Sequence, residues 1–282
     1  MIATNDLRAR ALRAADMLPV VAGVLQRTLE LFLKNDDLSV AQLSSSIEQD
    51  VVMAATILAI ANSATYGGRS SIASVRPAVA RLGINKTRNV LLGLSVTRAF
   101  KKVKVPSPWS LTQFNAHSLA AATLSDLIAR NVRSTDPEWA FMAGLLHDIG
   151  LLIIATGLPD EFGILLRQTG GDVGLVEQER ELLGFTHFEL GAELISRWNC
   201  PVPVQEATQF CQRSTFAFEQ PLTLGAVVKS ATLIADSQRI SNFTSTHDED
   251  VTNELLEALE ISKPVQFIAA FQSNYSELQI SA

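Results

Sequence analysis

The sequence predicts an all-α, multi-helix protein, and three observations lead to this fold class. Apolar residues recur at helical spacing along almost the whole chain, and capping signals stand where these segments begin. Glycine or proline follows where several of them end. Apolar and polar residues do not alternate over any stretch as they would in a half-buried strand. With 47% hydrophobic and 18% charged residues over 282 positions, the chain can bury a substantial core.

Two helix starts carry a complete capping box. Ser39 is predicted to cap the first helix, with Gln42 three residues later as its box partner. Thr186 and Glu189 repeat the arrangement, so His187 would be the first residue of the second helix. Both starts are defined by neighbouring residues alone.

Two further starts and two stops mark other helices. Asp136 precedes a proline and an acidic residue, and it is therefore predicted to cap a helix that begins at Pro137. Asn85 is predicted to cap the helix that follows it. Gly83 and Pro201 are the predicted stops of the helical segments before them.

The loop Lys101–Pro108 predicts a division into two helical lobes, because its prolines and lysines interrupt the helical pattern. The N-terminal lobe is predicted to pack on the C-terminal lobe. The predicted organisation is an N-terminal segment at 1–15, the N-terminal lobe at 16–108, the C-terminal lobe at 109–240, and a loop with a last helix at 241–282.

Charge and cysteine content restrict the function. The formal net charge of −6 argues against nucleic-acid binding, which needs a basic surface. The two cysteines, Cys200 and Cys211, form no disulfide framework and fit a reducing compartment. Charged residues at Asp6, Arg8 and Arg10 interrupt the first apolar stretch, which argues against a signal peptide. We therefore expect a cytoplasmic protein.

The apolar segment from Trp139 to Pro159 is long enough by itself to be compared with a membrane span. Glycines interrupt it, and the ionisable pair His147-Asp148 stands near its centre, where a bilayer would penalise both groups. We expect instead a buried core helix that ends near Gly150 or soon after, in a soluble protein that does not enter a membrane.

The pair His147-Asp148 is the most informative feature of the chain, because it lies within this apolar segment. A buried polar group without a partner costs roughly 1–3 kcal/mol, and a buried charge costs more. Such a pair is retained when it is hydrogen-bonded into a network or when it binds a metal. His117 and His187 lie on other predicted helices and could join it, whereas His247 lies in a polar loop.

Four side chains therefore form a candidate metal site: His117, His147, Asp148 and His187. Three imidazoles and one carboxylate suit Zn, Mn, Fe or Ni, and the coordination geometry would decide among these metals. The alternative is that each histidine hydrogen-bonds a backbone carbonyl in the core. Spacing alone does not show that the three histidines converge, so both interpretations stay open.

The motif His147-Asp148-Ile149-Gly150, with one histidine upstream and one downstream, resembles the HD phosphohydrolase superfamily. The chain is also similar to the HDOD (HD-related output) domain over residues 16–240. This resemblance implies an HDOD fold, with an HD-like C-terminal lobe, and a role as an output or adaptor module in bacterial signal transduction. The elements that carry it are Leu18-Pro19, Ser39-Val-Ala-Gln-Leu43, Ile47-Glu-Gln-Asp50, Asn62-Ser63, Leu82-Gly83 and Trp198-Asn199-Cys200-Pro201.

The chain departs from the catalytic HD-GYP relatives at several positions. Those relatives carry a lysine directly after the HDxG element, where this chain has Leu151. Their His-His pair corresponds to Cys211 and Gln212, and their last metal-ligating aspartate corresponds to Thr232. Cys211 as a thiolate, or Asp236 through a shift of register, could replace a ligand only under a special assumption.

Two functions follow as alternatives. The first is a non-catalytic regulatory module that binds a signalling protein or a small-molecule ligand, with no cofactor or a single divalent transition metal at a degraded HD site. Asn62 with Arg69, Arg76 and Arg81 would then form a polar rim of its recognition surface. The second is a metal-dependent phosphohydrolase that acts on a nucleotide or a cyclic dinucleotide. The lost ligand positions favour the first. A purely structural scaffold is a third alternative, and the apolar composition also allows a homodimer.

Overall fold

The computed structural model describes residues 4–16, 39–63, 66, 71–100, 103–169, 174–213, 216–243 and 250–281. Within these ranges the regular elements are helices, and the β-pairing consists of an isolated bridge between Ser134 and Leu222. The predicted all-α class is therefore confirmed. Two features of the sequence, Leu18-Pro19 and His247, lie outside the described residues.

The helices have the following bounds in chain order. They are α1 Thr4–Asp16, α2 Val40–Ile47, α3 Val51–Ala61, α4 Val75–Leu82, α5 Ile84–Phe100, α6 Leu111–Asn131, α7 Ala140–Leu146, α8 Ile149–Gly157, α9 Pro159–Thr169, α10 Leu175–Leu183, α11 His187–Arg197, α12 Val202–Phe210, α13 Leu224–Ser237, α14 Asp250–Ala258 and α15 Pro264–Ser281. A short 3-10 turn, Pro137–Trp139, precedes α7.

Internal contacts divide the chain into two compact units. The larger unit comprises Met1–Pro19 and Lys101–Gln272, and the smaller unit comprises Val20–Phe100 and Ser273–Ala282. One boundary between them coincides with the end of α5, and another falls within α15.

The larger unit is built around α6, which packs against α7 and α13. A second set of contacts joins α11 to α8 and α12, and α1 packs against α8. Every residue from 140 to 155 is buried. The pair His147-Asp148 therefore lies inside the core of this unit.

In the smaller unit, α4 packs against α2, α3 and α5. The Asn62 side-chain amide accepts from and donates to the backbone of Ile72, at 2.8 Å in both bonds. Arg81 Nη1 donates to the Ala61 carbonyl oxygen at 3.1 Å. Of the four residues predicted to form a polar rim, Asn62 and Arg81 thus hold the end of α3 in place. Arg76 is exposed, and Arg69 lies outside the described residues.

Both predicted capping boxes are confirmed. The Ser39 hydroxyl accepts from the Gln42 N–H, the Gln42 side chain accepts from the Ser39 N–H, and Thr186 and Glu189 form the same pair of bonds. Gly83 ends α4 as predicted, at φ 81°, a conformation that glycine adopts without strain.

One predicted start is wrong, and the other, at Pro137, is present but lacks the predicted capping bond of Asp136. Asn85 lies inside the first turn of α5, which begins at Ile84 because the chain turns sharply at Gly83 and the next helix starts at once. Asp136 has a left-handed backbone (φ 52°, ψ 43°) before the 3-10 turn, and its side chain makes no capping bond. The neighbouring Thr135 N–H donates to the Leu222 carbonyl, and this tertiary hydrogen bond fixes the direction in which the backbone enters the 3-10 turn.

The apolar segment is also divided differently from the prediction. α7 ends at Leu146 and α8 starts at Ile149, so the interruption falls at His147 and Asp148 rather than near Gly150. His147 Nδ1 bonds the Gly144 carbonyl oxygen at 2.8 Å, which a continuing helix would use for the Asp148 N–H. The helical path then resumes to Gly157.

One stretch of the described residues, Pro137–Gly157, is long and apolar enough to cross a membrane by length and composition. However, 89% of its apolar window is buried within the fold. This segment therefore lies in the core of the fold.

Candidate metal centre

His117 is the ligand candidate that α6 contributes, and it is buried. Its Nδ1 lies 2.7 Å from the carbonyl oxygen of Ile240. A carbonyl oxygen can only accept, so Nδ1 carries the proton and Nε2 keeps its lone pair. This Nε2 lies 3.7 Å from Oδ2 of Asp148.

His147 is fixed in the same way at the junction between α7 and α8. Its Nδ1 donates to the Gly144 carbonyl at 2.8 Å, and its Nε2 lies 3.1 Å from Oδ2 of Asp148. Two imidazoles therefore present their Nε2 atoms to one carboxylate oxygen. The ring centroids of His117 and His147 are 5.2 Å apart.

His187 approaches Asp148 from the opposite carboxylate oxygen. Its Nε2 lies 3.7 Å from Oδ1 of Asp148, while its Nδ1 lies 2.9 and 2.8 Å from the two carboxylate oxygens of Glu179. The His187 backbone N–H also donates to Glu179, at 2.9 Å. Glu179 is fully buried, with 0% exposure, so its carboxylate serves mainly to hold this histidine.

The structure thus brings together all four side chains predicted from the sequence. One nitrogen or oxygen atom from each of His117, His147 and Asp148 lies within 4.8 Å of the other two, and His187 stands beside the same carboxylate. Each histidine has its Nδ1 bonded to an acceptor and its Nε2 available, which is the usual arrangement of metal-binding histidines. Imidazole nitrogens with a carboxylate suit a divalent transition metal, so these residues fit such an ion.

The charge state of Asp148 agrees with a ligand role. Burial by itself raises the pKa of this carboxyl, but its interactions with the imidazoles of His147, His187 and His117 outweigh burial and hold the pKa well below its usual range. Asn242 Nδ2 also donates a hydrogen bond to Oδ2 of Asp148. The carboxylate is therefore ionised at neutral pH, the form that binds metal.

Gly150 allows α8 and α11 to approach closely enough for His187 to reach Asp148. A Cβ atom on Gly150 would lie 1.9 Å from the His187 carbonyl oxygen, closer than any real contact. The glycine of the His147-Asp148-Ile149-Gly150 motif is thus required by the distance between the two helices.

A cavity of about 310 Å³ opens beside the four side chains. Lys229 reaches its wall from α13, and its Nζ donates to the Cys211 carbonyl at 3.0 Å. Residues of several further elements complete the wall, among them Leu151, Glu177, Gln212, Arg213, Asp236 and Asn242. A wider cavity of about 490 Å³, between α12 and the start of α13, is lined by other residues than the four candidates.

The HDOD domain family matches residues 18–214, which is more than half of the chain. The protein belongs to the HDOD domain family. The predicted fold is thereby confirmed at the level of the family.

Similar proteins come from several organisms. A relative in Treponema pallidum (strain Nichols), an uncharacterized protein, is 25% identical over 216 residues, which are 74% of this chain and 40% of that protein. The chain therefore spans less than half the length of the curated relative that it matches.

Two solved structures share the fold. A protein of Shewanella amazonensis SB2B named as a candidate phosphohydrolase is 24% identical, with a TM-score of 0.71 over 97% of this chain and 98% of its own. A candidate signal transduction protein of Marinobacter aquaeolei VT8 is 22% identical, with a TM-score of 0.66 over 93% of this chain and 59% of its own.

The positions where this HDOD protein departs from catalytic HD-GYP relatives lie around the same cavity. Burial raises the pKa of the Cys211 thiol to about 12, so the thiol of the metal-free protein is neutral. The Thr232 hydroxyl donates to the Lys229 carbonyl at 2.8 Å. Asp236 lies 3.5 Å from Nδ1 of His117, the nitrogen that faces away from Asp148.

Sequence reasoning missed three residues of this centre: Glu179, Lys229 and Asn242. Glu179 could have been found, because it stands four residues from both Leu175 and Leu183 and so shares their buried face. Lys229 is the basic residue of the otherwise apolar first turns of α13. Asn242 lies in the segment after α13, and none of its neighbours in the sequence indicated a role in the centre.

Proposed function

We propose that this HDOD protein is a non-catalytic regulatory module of bacterial signal transduction that holds a single divalent transition metal at the centre around Asp148. One observation carries the proposal. The ligand atoms of His117, His147 and Asp148 form one compact set, whereas the buried Cys211 stands in place of a histidine and the Thr232 hydroxyl bonds its own helix. We further propose that the protein acts in the cytoplasm and binds a signalling protein or a small-molecule ligand.

The missing ligands argue against phosphodiester hydrolysis. Hydrolysis by a two-metal site needs ions that stabilise both the attacking and the leaving oxygen. Leu151 is buried and apolar where the catalytic relatives have a cation that would stabilise a substrate phosphate. The description of the Marinobacter protein as a candidate for signal transduction agrees with this regulatory role.

The residues themselves define what a bound ion would do. His117, His147 and His187, with the carboxylate of Asp148, would bind it, while Glu179 and the Ile240 and Gly144 carbonyls hold the imidazoles in orientation. When bound, the metal supplies positive charge and Lewis acidity at the wall of the cavity. It would also link α6, α11 and the junction between α7 and α8, so ligand binding at the cavity could bias the packing of these helices.

A second function is favoured by the cavity itself. Lys229 and Arg213 contribute positive charge to the same wall as the candidate ligands, as a site for a phosphate group would require. Together with the description of the Shewanella protein, this supports a metal-dependent phosphohydrolase acting on a nucleotide or cyclic dinucleotide.

The two functions are separated by one experiment. Protein purified without chelators is analysed for transition metals and tested against a phosphomonoester, a phosphodiester and a cyclic dinucleotide. Bound metal that is lost in His147→Ala, with no turnover of any substrate, is the expected result. Turnover that disappears in folded His147→Ala and Asp148→Ala variants would establish the hydrolase instead. If the purified protein contains no metal, the four side chains form a structural hydrogen-bond network and both functions based on a metal fail.

A further inference from the structure

Asn242 stands out because it is buried at the candidate centre and, within the described part of the chain, only the NH₂ group of its amide is hydrogen-bonded. It is 4% exposed and lines the cavity, and its Nδ2 donates to Oδ2 of Asp148. Its Oδ1 is buried and has no hydrogen-bond partner among the described residues. A buried amide oxygen without a partner costs about 1–3 kcal/mol, so a fold retains one for a reason.

The same carboxylate oxygen receives three groups. Nε2 of His147 lies 3.1 Å and Nε2 of His117 lies 3.7 Å from Oδ2 of Asp148, and the Asn242 amide bonds that atom too. The amide therefore reaches the region shared by the predicted ligands. A primary amide carries an acceptor and a donor of similar size, and rotation about its last side-chain bond exchanges them.

A cation at this place would reverse the preferred orientation of the amide. Without the ion, the negative oxygen of Asp148 attracts the NH₂ group, as the hydrogen bond shows. With the ion bound by Asp148, the positive charge repels NH₂ and attracts the carbonyl oxygen, which has no other partner among the described residues. Amide oxygens are known ligands of divalent metals.

The segment after α13 reaches the part of the centre where catalytic relatives have a further aspartate ligand and this chain has none. Thr232 occupies the position of the last aspartate in catalytic relatives, and its hydroxyl is bonded to the Lys229 carbonyl. Ile240 and Asn242 follow the same helix, and they contact His117 and Asp148 respectively. Both residues lie beyond the matched family range of 18–214.

We infer that Asn242 is a ligand of the metal through its amide oxygen, and that it supplies the coordination which Thr232 cannot. This inference rests on the proposed metal centre. It assigns a binding role to a residue outside the HD motif and outside the matched domain.

Cobalt(II) is the probe that tests it, because the visible absorption of bound cobalt reports the number and kind of its ligands. The full chain is titrated with cobalt(II) as wild type, Asn242→Leu and Asn242→Asp. Asn89→Leu is the matched control, since Asn89 is 3% exposed and its buried Oδ1 likewise has no partner within the described ranges, but it lies in the smaller unit. Circular dichroism establishes that each variant is folded.

The expected result is that Asn242→Leu changes the cobalt spectrum and weakens binding about ten-fold or more. Asn242→Asp, which keeps an oxygen ligand and adds charge, should retain the wild-type band pattern and bind cobalt more tightly. Asn89→Leu should leave spectrum and affinity unchanged.

Three results would overturn the inference. If wild type binds cobalt and folded Asn242→Leu gives the same spectrum and affinity, Asn242 is no ligand although the metal centre stands. If Asn242→Leu does not fold, Asn242→Asp decides: weaker binding with an altered spectrum means that the amide only donates to Asp148. If wild type binds no cobalt, the metal centre and the inference fail together.

Discussion

At the scale of single residues, the centre depends on what holds each imidazole. His117 and His147 are bonded to main-chain carbonyls, whereas His187 is bonded to the side chain of Glu179. A buried carboxylate on a metal-binding histidine fixes the tautomer and raises the basicity of the ring. Glu179 is therefore a positioning residue that acts on Asp148 and on any ion through His187.

Glu179→Gln should weaken metal binding without destroying the fold. The amide keeps the volume of the side chain but removes the charge that orients His187, and loss of such a partner typically lowers metal affinity about 10–100-fold. Isothermal titration with zinc or manganese measures the change. Glu181→Gln, an exposed change on the same helix, should leave the affinity unaltered, and an equal loss in both variants would contradict the role of Glu179.

Glu179→Ala should also destabilise the metal-free protein. It leaves the His187 N–H and ring nitrogen buried without their acceptor, which costs about 1–3 kcal/mol for each lost partner. The free energy of unfolding in urea measures this loss. A stability equal to that of Glu181→Ala would show that solvent reaches the site and replaces the carboxylate.

At the scale of secondary-structure elements, two features position the side chains of the site. One is the interruption between α7 and α8, and the other is the contact of α8 with α11. Gly150→Ala should separate these helices, because the new Cβ would meet the His187 carbonyl at 1.9 Å. Overpacking of this kind typically costs about 1–3 kcal/mol and occasionally more. Thermal and urea unfolding of the metal-free protein test it.

The matched control for this change is Gly163→Ala in α9. Among the residues that the structure describes outside its own helix backbone, its Cβ would have Arg167 alone within 4 Å, at an ordinary 3.5 Å, so the substitution should stabilise the protein by about 0.4–1 kcal/mol. If Gly150→Ala were as stable as Gly163→Ala, the two helices would not be held at the distance described.

Asp50 at the start of α3 predicts an acid-dependent contribution to stability. Burial raises its pKa, but hydrogen bonds from the Met53 and Val52 N–H groups and the Arg98 guanidinium outweigh it, so the pKa lies below 3.8. Because the folded pKa is lowered, this stability is present above the unfolded value and is lost as pH falls through the folded value. The difference in unfolding free energy between wild type and Asp50→Ala, about 1 kcal/mol at neutral pH for such a cap, should shrink as the pH falls below 3.8.

The elements that the sequence predicted well are those defined by neighbouring residues. Ser39 with Gln42, and Thr186 with Glu189, satisfy each other's hydrogen bonds within one turn, so no distant residue could change these starts. Asp136 failed as a cap because the preceding backbone is bonded to Leu222, far along the chain. The four candidate ligands were identified from residue types and resemblance, but the acceptor of His117 at Ile240, 123 residues away, has no local signature.

At the scale of the whole molecule, the centre belongs to one of two compact units. The helices that carry it are α6, α7, α8 and α11, all in the larger unit, whereas α2 to α5 lie in the smaller unit. A ligand that binds only the folded state stabilises it by about 2.7 kcal/mol at one hundred times its dissociation constant. We expect this stabilisation to appear mainly in the unit that holds the ion.

Hydrogen–deuterium exchange with and without zinc tests this distribution. Amides of α6, α8 and α11 should exchange more slowly when zinc is bound, and those of α3 and α4 should change little. His147→Ala should abolish the difference. Equal protection of both units would mean that they open as one cooperative body.

The different acceptors of the three histidines predict which residues of the site are lost first in evolution. A main-chain carbonyl is present whatever side chain its residue carries, so drift at Ile240 leaves His117 with its acceptor. Glu179, in contrast, disappears with one substitution. In lineages released from selection on this centre, Glu179 and His187 should erode first, while His117 and His147 persist. Two surviving histidines in such a descendant would record inherited backbone geometry and would not by themselves be a sign of retained function.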